Sequence, residues 1–179
     1  MRRLLLLLPL LLFAADAPQE IEGWTNPKGQ WSYDAKSGEI CGAGTIESVA
    51  GSVSDFEMTF QICIDECTDA YNMAGISFRA NETGARYKLS LRPDRVTLDK
   101  SWVEGEKPNL KCLASQPMSI PKGQWIPIIL SVRGGKMEAR IGRKTTLQAV
   151  DPEPLPPAKL ELITFRATAR FKIKKLKTK

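Results

Sequence analysis

The side chains able to do chemistry here are carboxylates, cations and thiols, because the chain has no histidine. Its 179 residues carry 20 Asp and Glu, 26 Lys and Arg, and four cysteines. Without an imidazole there is no Ser-His-Asp or Cys-His nucleophile, no His-bearing metal site and no switch near neutral pH. Hydrolysis of a glycosidic bond would need two carboxylates, about 5–5.5 Å apart for retention or about 6.5–9.5 Å for inversion. Glu57 is the one acid on the alternating polar faces described below. Asp94 and Asp99 fall at the ends of the run through Val96, and Asp69 and Glu82 fall in loops. No catalytic pair presents itself from spacing, and no Glu-x-Asp-x-x-Glu cluster is present.

The same residues are better furnished for binding. Glu57, Thr59 and Gln61, then Ser77 and Arg79, then Lys88, Ser90 and Arg92 alternate with apolar neighbours. These polar sets would cluster if their strands are neighbours in one sheet. Sugar recognition uses multidentate hydrogen-bonding groups and an aromatic platform. Glu57, Gln61 and Arg79 supply the first, Lys88 and Arg92 share their face, and Trp102 supplies the second. An ordinary solvated sheet face shows the same alternation. Trp24, Trp31 and Trp125 are expected in the core, where an aromatic side chain buries about 150–250 Å².

Cys41, Cys63, Cys67 and Cys112 allow three disulfide pairings. Cys63 and Cys67 in one extended strand would lie about 13 Å apart, too far to bridge. Disulfides are the expected state and free thiols the alternative. A zinc site is disfavoured because the one close pair has C-x₃-C spacing. No metal or cofactor is expected. Asn81-Glu82-Thr83 is a glycosylation sequon, meaningful in a eukaryotic secretory pathway.

The elements that must position these groups are strands. Phe56, Met58, Phe60, Ile62 and Ile64 alternate with polar residues, as do Ala74, Ile76 and Phe78, and Tyr87, Leu89 and Leu91. The same period of two marks Val96 and Leu98, then Ile126 to Val132, then Met137, Ala139 and Ile141, and last Ala169, Phe171 and Ile173. Pro127 predicts an edge or a bulge for its strand. Gly134-Gly135 predicts a hairpin with φ > 0. Residues 151–157, DPEPLPP, form a rigid loop before Leu160 and Leu162. Short strands with no long helix indicate a β-sandwich.

Ahead of it, Arg2 and Arg3 precede an apolar run over residues 4–13, and Ala15-Asp16-Ala17 offers a cleavage site. That pattern predicts a signal peptide over 1–17 and a single sandwich domain over 18–179, secreted or periplasmic, with no transmembrane anchor after cleavage. The net charge of +6 lies largely in Arg2, Arg3 and the last ten residues. The basic run from Arg170 to Lys179 lacks interleaved aromatics, so nucleic acid is not an expected partner. It reads as an edge strand guarded by lysines.

The ordered stretches Gly23-Trp24, Trp31-Ser32-Tyr33-Asp34, Asp55-Phe56-Glu57, Gly75-Ile76-Ser77-Phe78-Arg79, Tyr87-Lys88-Leu89, Gly123-Gln124-Trp125 and Phe171-Lys172-Ile173 carry a resemblance. The chain resembles the concanavalin A-like jelly-roll domains of the 3-keto-disaccharide hydrolase domain family. It is also similar to the related β-sandwich carbohydrate-binding modules. The resemblance implies an all-β jelly roll of two antiparallel sheets, with a concave sheet facing a sugar. It maps Arg79 onto the family's arginine. Where the family has Tyr-Glu this chain has Tyr87-Lys88, so a cation replaces a carboxylate, and Ala158 replaces a glycine. The expected function is carbohydrate binding on the concave sheet. Hydrolysis of a 3-keto-glycoside or other glycoside is the alternative, and a protein-interaction domain the second.

Overall fold

The computed structural model describes residues 20–21, 23–48, 51–67, 71 and 73–178. The expected signal segment and Asp69 lie outside these residues. The described residues form β1 (Glu20–Ile21), β2 (Trp24–Asp34), β3 (Glu39–Ser48), β4 (Phe56–Cys67), β5 (Met73–Ala80), β6 (Arg86–Arg92) and β7 (Arg95–Glu104). They continue with β8 (Lys107–Pro117), β9 (Ile126–Arg133), β10 (Lys136–Ile141), β11 (Thr145–Val150), β12 (Lys159–Phe165) and β13 (Ala167–Thr178). No helix occurs among them.

Every strand pair is antiparallel. The order is β11-β10-β9-β4-β13-β3-β12-β5-β6-β7-β8, with β2 along the other side of β3. This is a jelly-roll β-sandwich. The two layers are β11-β10-β9-β4-β13 and β12-β5-β6-β7-β8. They share β3, whose residues 40–42 pair with β13 and 45–47 with β12. Hydrogen bonding therefore runs continuously around one side, where two separate sheets were expected.

Alternation dictates what meets in the middle. Met58, Phe60, Ile62, Ile128, Leu130, Val132 and Phe171 from one layer face Ile76, Phe78, Leu89, Leu91, Leu98, Leu160 and Leu162 from the other, and all are buried. Phe78 stacks on Tyr87 at 5.3 Å and meets Phe56 edge-on at 5.6 Å. Trp24 and Trp31 are in this core. Trp125 is not: it is partly exposed, with the Arg170 guanidinium 5.3 Å and the Lys172 ammonium 4.7 Å from its ring.

Two expectations about strand edges change. The strand β9 is central despite Pro127, because the proline sits at its second residue, where one missing N–H costs the ladder little. The strand β13 lies between β4 and β3 as far as Phe171 and becomes an edge only beyond it. The β9–β10 turn uses its two glycines differently. Gly134 has φ +55°, whereas Gly135 is required by closeness, since a Cβ there would lie 2.0 Å from the Asp151 carbonyl oxygen.

The cysteines correct the disulfide expectation: all four are free thiols. Cys41 and Cys63 pair with opposite sides of Arg170, two strand spacings or about 9.5 Å apart. A disulfide needs Cα atoms within about 7 Å. Cys67 is four residues along the strand from Cys63, and Cys112 lies on β8 at the far end of the other layer.

Candidate functional site

The outward face of β12-β5-β6-β7-β8 is polar and sunken. Register places Glu161, Ser77, Lys88, Asp99 and Cys112 in one cross-strand row, and Ile163, Gly75, Ser90, Thr97 and Ser115 in the next. Their strand neighbours Leu160, Leu162, Ile76, Leu89 and Leu98 point into the core, so these residues point away from it. They are nonetheless enclosed. Ser77 is 0% and Ser90 1% exposed, and Thr97, Asp99 and Glu161 are also buried. Beside this floor lies a depression of about 390 Å³. It runs from Met73, Ile163 and Phe165 past Lys88 and Arg86 to Trp102, Pro108 and Asn109.

The carboxylates of this face are engaged by protein groups. Arg86 Nη1 donates to Glu161 Oε2 at 3.1 Å, Thr97 Oγ1 donates to Asp99 Oδ2 at 2.7 Å, and Arg95 grips Asp94 at 3.0 and 2.7 Å. Other groups are not engaged. Ser77 Oγ, Ser90 Oγ and Arg92 Nε are buried with no hydrogen-bond partner among the described residues. Neither Lys88 nor Arg92 has an ion-pair partner among the described residues. Burial pushes the Lys88 ammonium below the usual lysine range. The neighbouring Arg86 and Arg92 charges add to that, and Asp99 opposes it.

The sequence-expected site residues do not all converge. Lys88 and Arg92 share this face. Trp102 lies past the end of β6, which stops opposite Ser101, and there it lines the depression. Glu57 and Gln61 lie on β4 in the other layer, on its outward face, so they cannot join Lys88. A cleft of about 580 Å³ on that face is lined by Glu57, Thr59, Ile129, Arg140 and Gln148 among others.

Arg79 was expected on the sugar-facing sheet and is placed elsewhere. Its φ of +49° turns the side chain to the end of the sandwich, where it is 3% exposed. Its guanidinium donates to the Leu155, Gly134 and Ser54 carbonyls at 2.9, 3.0 and 3.2 Å, and reaches Asp55 Oδ1 at 3.4 Å. It therefore ties three loops together. Asn81 sits in the β5–β6 turn, where its Oδ1 accepts from Thr83 Oγ1 at 2.8 Å and Ala85 N at 2.9 Å.

Reading the sequence missed two groups. Glu161 was visible as the polar residue between Leu160 and Leu162. The second, Tyr87 with Asp151 and Lys100, joins the layers at one end. Tyr87 Oη donates to Asp151 Oδ2 at 2.6 Å and Lys100 Nζ donates to the same atom at 2.7 Å. Burial and then the Asp151 hydrogen bond push the Tyr87 hydroxyl up to about 12. No sequence signal links Tyr87 to Asp151, 64 residues away.

Neither a protein-family model nor a curated protein sequence matches this chain. Solved structures do. A carbohydrate-binding module, CBM66 from Bacillus subtilis, is similar with a TM-score of 0.63 at 20% identity, over 84% of this chain and 93% of that one. A protein provisionally named a glycosyl hydrolase, from Parabacteroides distasonis, gives 0.62 at 16% identity over 88% of each chain. An alginate lyase of polysaccharide lyase family 7 gives 0.53 at 8% identity, over 83% of this chain and 81% of that one. At these identities the likeness is one of fold: the jelly-roll sandwich that these carbohydrate-binding and carbohydrate-active proteins share.

Proposed function

We propose that the protein binds carbohydrate on the outward face of β12-β5-β6-β7-β8, with Lys88, Ser90, Arg92 and Trp102 as contacts. The observation that carries this reading is the enclosed, partnerless set Ser77 Oγ, Ser90 Oγ and Arg92 Nε. A buried polar atom left unsatisfied costs about 1–3 kcal/mol. A sugar presents hydroxyls that both donate and accept, so one that enters as the enclosing side chains move aside relieves that cost. Trp102 lines the depression beyond the end of β6, within reach of a pyranose ring held there. The fold shared with a module named for carbohydrate binding supports the reading. In the same proposal, residues 1–17 export the chain and 18–179 act as one secreted or periplasmic domain.

The resemblance to 3-keto-disaccharide hydrolases offers hydrolysis as the second reading, and Asp99 and Glu161 are the buried acids that favour it. They lie three strand positions apart, about 14 Å along the row. That exceeds the roughly 6.5–9.5 Å of an inverting pair, and Glu161 is held by Arg86. Binding is therefore the favoured reading. Pull-down of the purified protein on a panel of insoluble and gel-immobilised polysaccharides tests it. Retention on at least one glycan is expected, weakened at least tenfold by Trp102→Ala. A folded protein that no glycan retains would overturn the proposal.

A further inference from the structure

We infer that the glycan is acidic, and that a carboxylate or sulfate ester on it sits over Ser90 between Lys88 and Arg92. This rests on the carbohydrate reading above. The argument starts from β6, where Arg86, Lys88, Ser90 and Arg92 project outward at alternate positions. Lys88 and Arg92 flank Ser90, and both side chains are long enough to converge above it. Opposite Ser90 stand Gly75, which has no side chain, and Thr97, whose hydroxyl is donated to Asp99. The floor under the two cations is thus small and low.

Charge accounting singles out this pair. Arg86 is matched by Glu161 and Arg95 by Asp94. Asp99 faces Lys88 across the strand pair, outside ion-pair distance. Lys88 and Arg92 remain, partly buried, without a salt bridge among the described residues. A half-buried cation without a counter-ion is costly, and that cost is relieved best by a fixed anion. Asp99 offsets part of the Lys88 charge from across the strand pair, but a neutral sugar leaves a net positive charge over Ser90, with Arg92 unmatched. An oxyanion between them accepts from the ammonium, the guanidinium and the Ser90 hydroxyl together, in charge-assisted bonds. Burial sets the pair apart, since Arg133 and Lys136 on the opposite face also lack an ion pair among the described residues but are exposed. On the opposite face Arg170, Lys172 and Arg140 are each paired with a carboxylate.

Calorimetry on the purified protein with two matched ligand pairs tests the inference. Polygalacturonate is compared with its methyl-esterified form, and dextran sulfate with dextran. The charged member of at least one pair should bind at least tenfold more tightly. Preference for the polyuronate assigns the carboxylate, and preference for the sulfated chain assigns the sulfate ester. Lys88→Gln and Arg92→Gln should each lower that affinity at least tenfold, Lys88→Arg should retain it, and Arg140→Gln on the opposite face should leave it unchanged. Thermal melts confirm that each variant is folded. Equal affinity for charged and neutral members, with Trp102→Ala still abolishing binding, would overturn the acidic ligand and leave the carbohydrate reading intact. Failure of every glycan to bind would overturn both.

Discussion

On the outward face of β13, β4, β9 and β10, the partly buried cations are paired within the protein, and the cations without an ion pair among the described residues, such as Arg133 and Lys136, are exposed. Arg170 lies 2.8 Å from Asp65 and 3.3 Å from Glu39, Lys172 is 2.9 Å from Glu39, and Arg140 is 2.7 Å from Glu138. Trp125 lies under two of these cations. On the outward face of β5, β6 and β7, Lys88 and Arg92 lack such partners among the described residues, and two serine hydroxyls are enclosed without one among them. Both faces alternate polar residues with core residues, and both carry arginine, lysine and acid. They differ in whether cross-strand neighbours complete one another. A completed face is finished by folding, whereas an incomplete one is finished by something that binds to it.

The largest test of this contrast is Arg79→Ala. Strand parity would put Arg79 on the incomplete face, but its donors serve carbonyls at the sandwich end. Truncation leaves the Ser54, Leu155 and Gly134 carbonyls without that donor and should cost about 3–5 kcal/mol. At about 2–4 °C per kcal/mol for a chain of this size, the melting temperature should fall by roughly 10 °C. Glycan affinity of the folded protein should change less than about twofold, within the scatter of a site that is not touched. Affinity falling while stability holds would return Arg79 to the binding face.

Arg170→Ala breaks the completed face instead. It strands Asp65 and leaves Glu39 to Lys172 alone, and with the Arg170 side chain 32% exposed the cost should be about 1–2 kcal/mol. The effect should depend on pH in one direction. The Arg170 hydrogen bonds hold the Asp65 carboxyl below the usual carboxylate range, and mainly Lys172, with Arg170, does the same for Glu39. A carboxyl depressed in the folded state stabilises above its unfolded pKa and loses that contribution as pH falls through the folded value. Chemical denaturation of wild type and variant should therefore differ at neutral pH and converge in the acid carboxylate range. A difference that persists there would show that packing, not charge, makes Arg170 matter.

How much of this could be read beforehand follows from what periodicity encodes. Alternation in Phe56 to Ile64, Ala74 to Phe78 and Tyr87 to Leu91 identified the strands and their core faces, and hence a β-sandwich, while the jelly roll followed from the family resemblance. Alternation also gave the correct outward parity for Ser77, Lys88, Ser90 and Arg92. Parity does not say which strands are neighbours. Glu57 and Lys88 look alike in sequence, yet β4 and β6 belong to different layers, so the two residues lie on opposite outer faces. Arg79 escaped because one residue with positive φ reverses the pattern locally. The cysteines misled because the expectation of export raises that of disulfides without bringing any two sulfur atoms together. Missing partners, the property that distinguishes the proposed binding face, are invisible until every neighbour is placed.

A smaller test has the opposite sign. Ser90→Ala removes an enclosed hydroxyl that no described residue satisfies, so the free protein should gain about 1 kcal/mol while glycan affinity drops. Stability and binding then move in opposite directions, which is the signature of a group that a ligand completes. If Ser90→Ala destabilises the protein, the hydroxyl has a partner in the free state and this face is as finished as the other.

The smallest expected effect is Glu57→Gln. The Glu57 side chain is 39% exposed on the completed face, and its one ion pair, with Lys177, is long at 3.7 Å. Exposed pairs contribute about 0–1 kcal/mol, and a long one belongs at the low end. The melting temperature should therefore shift by no more than about 1–2 °C. Glycan affinity should not move, because β4 and β6 face solvent on opposite sides of the sandwich. The experiment still has force, because Glu57 is the acid that a sequence-based search for a hydrolase would mutate first. Loss of glycan affinity or of glycosidase activity in Glu57→Gln would mean that the cleft of about 580 Å³ over β4, β9 and β10 holds the sugar. The completed pairs on that face would then be a scaffold for recognition, and the contrast between the two faces would reverse.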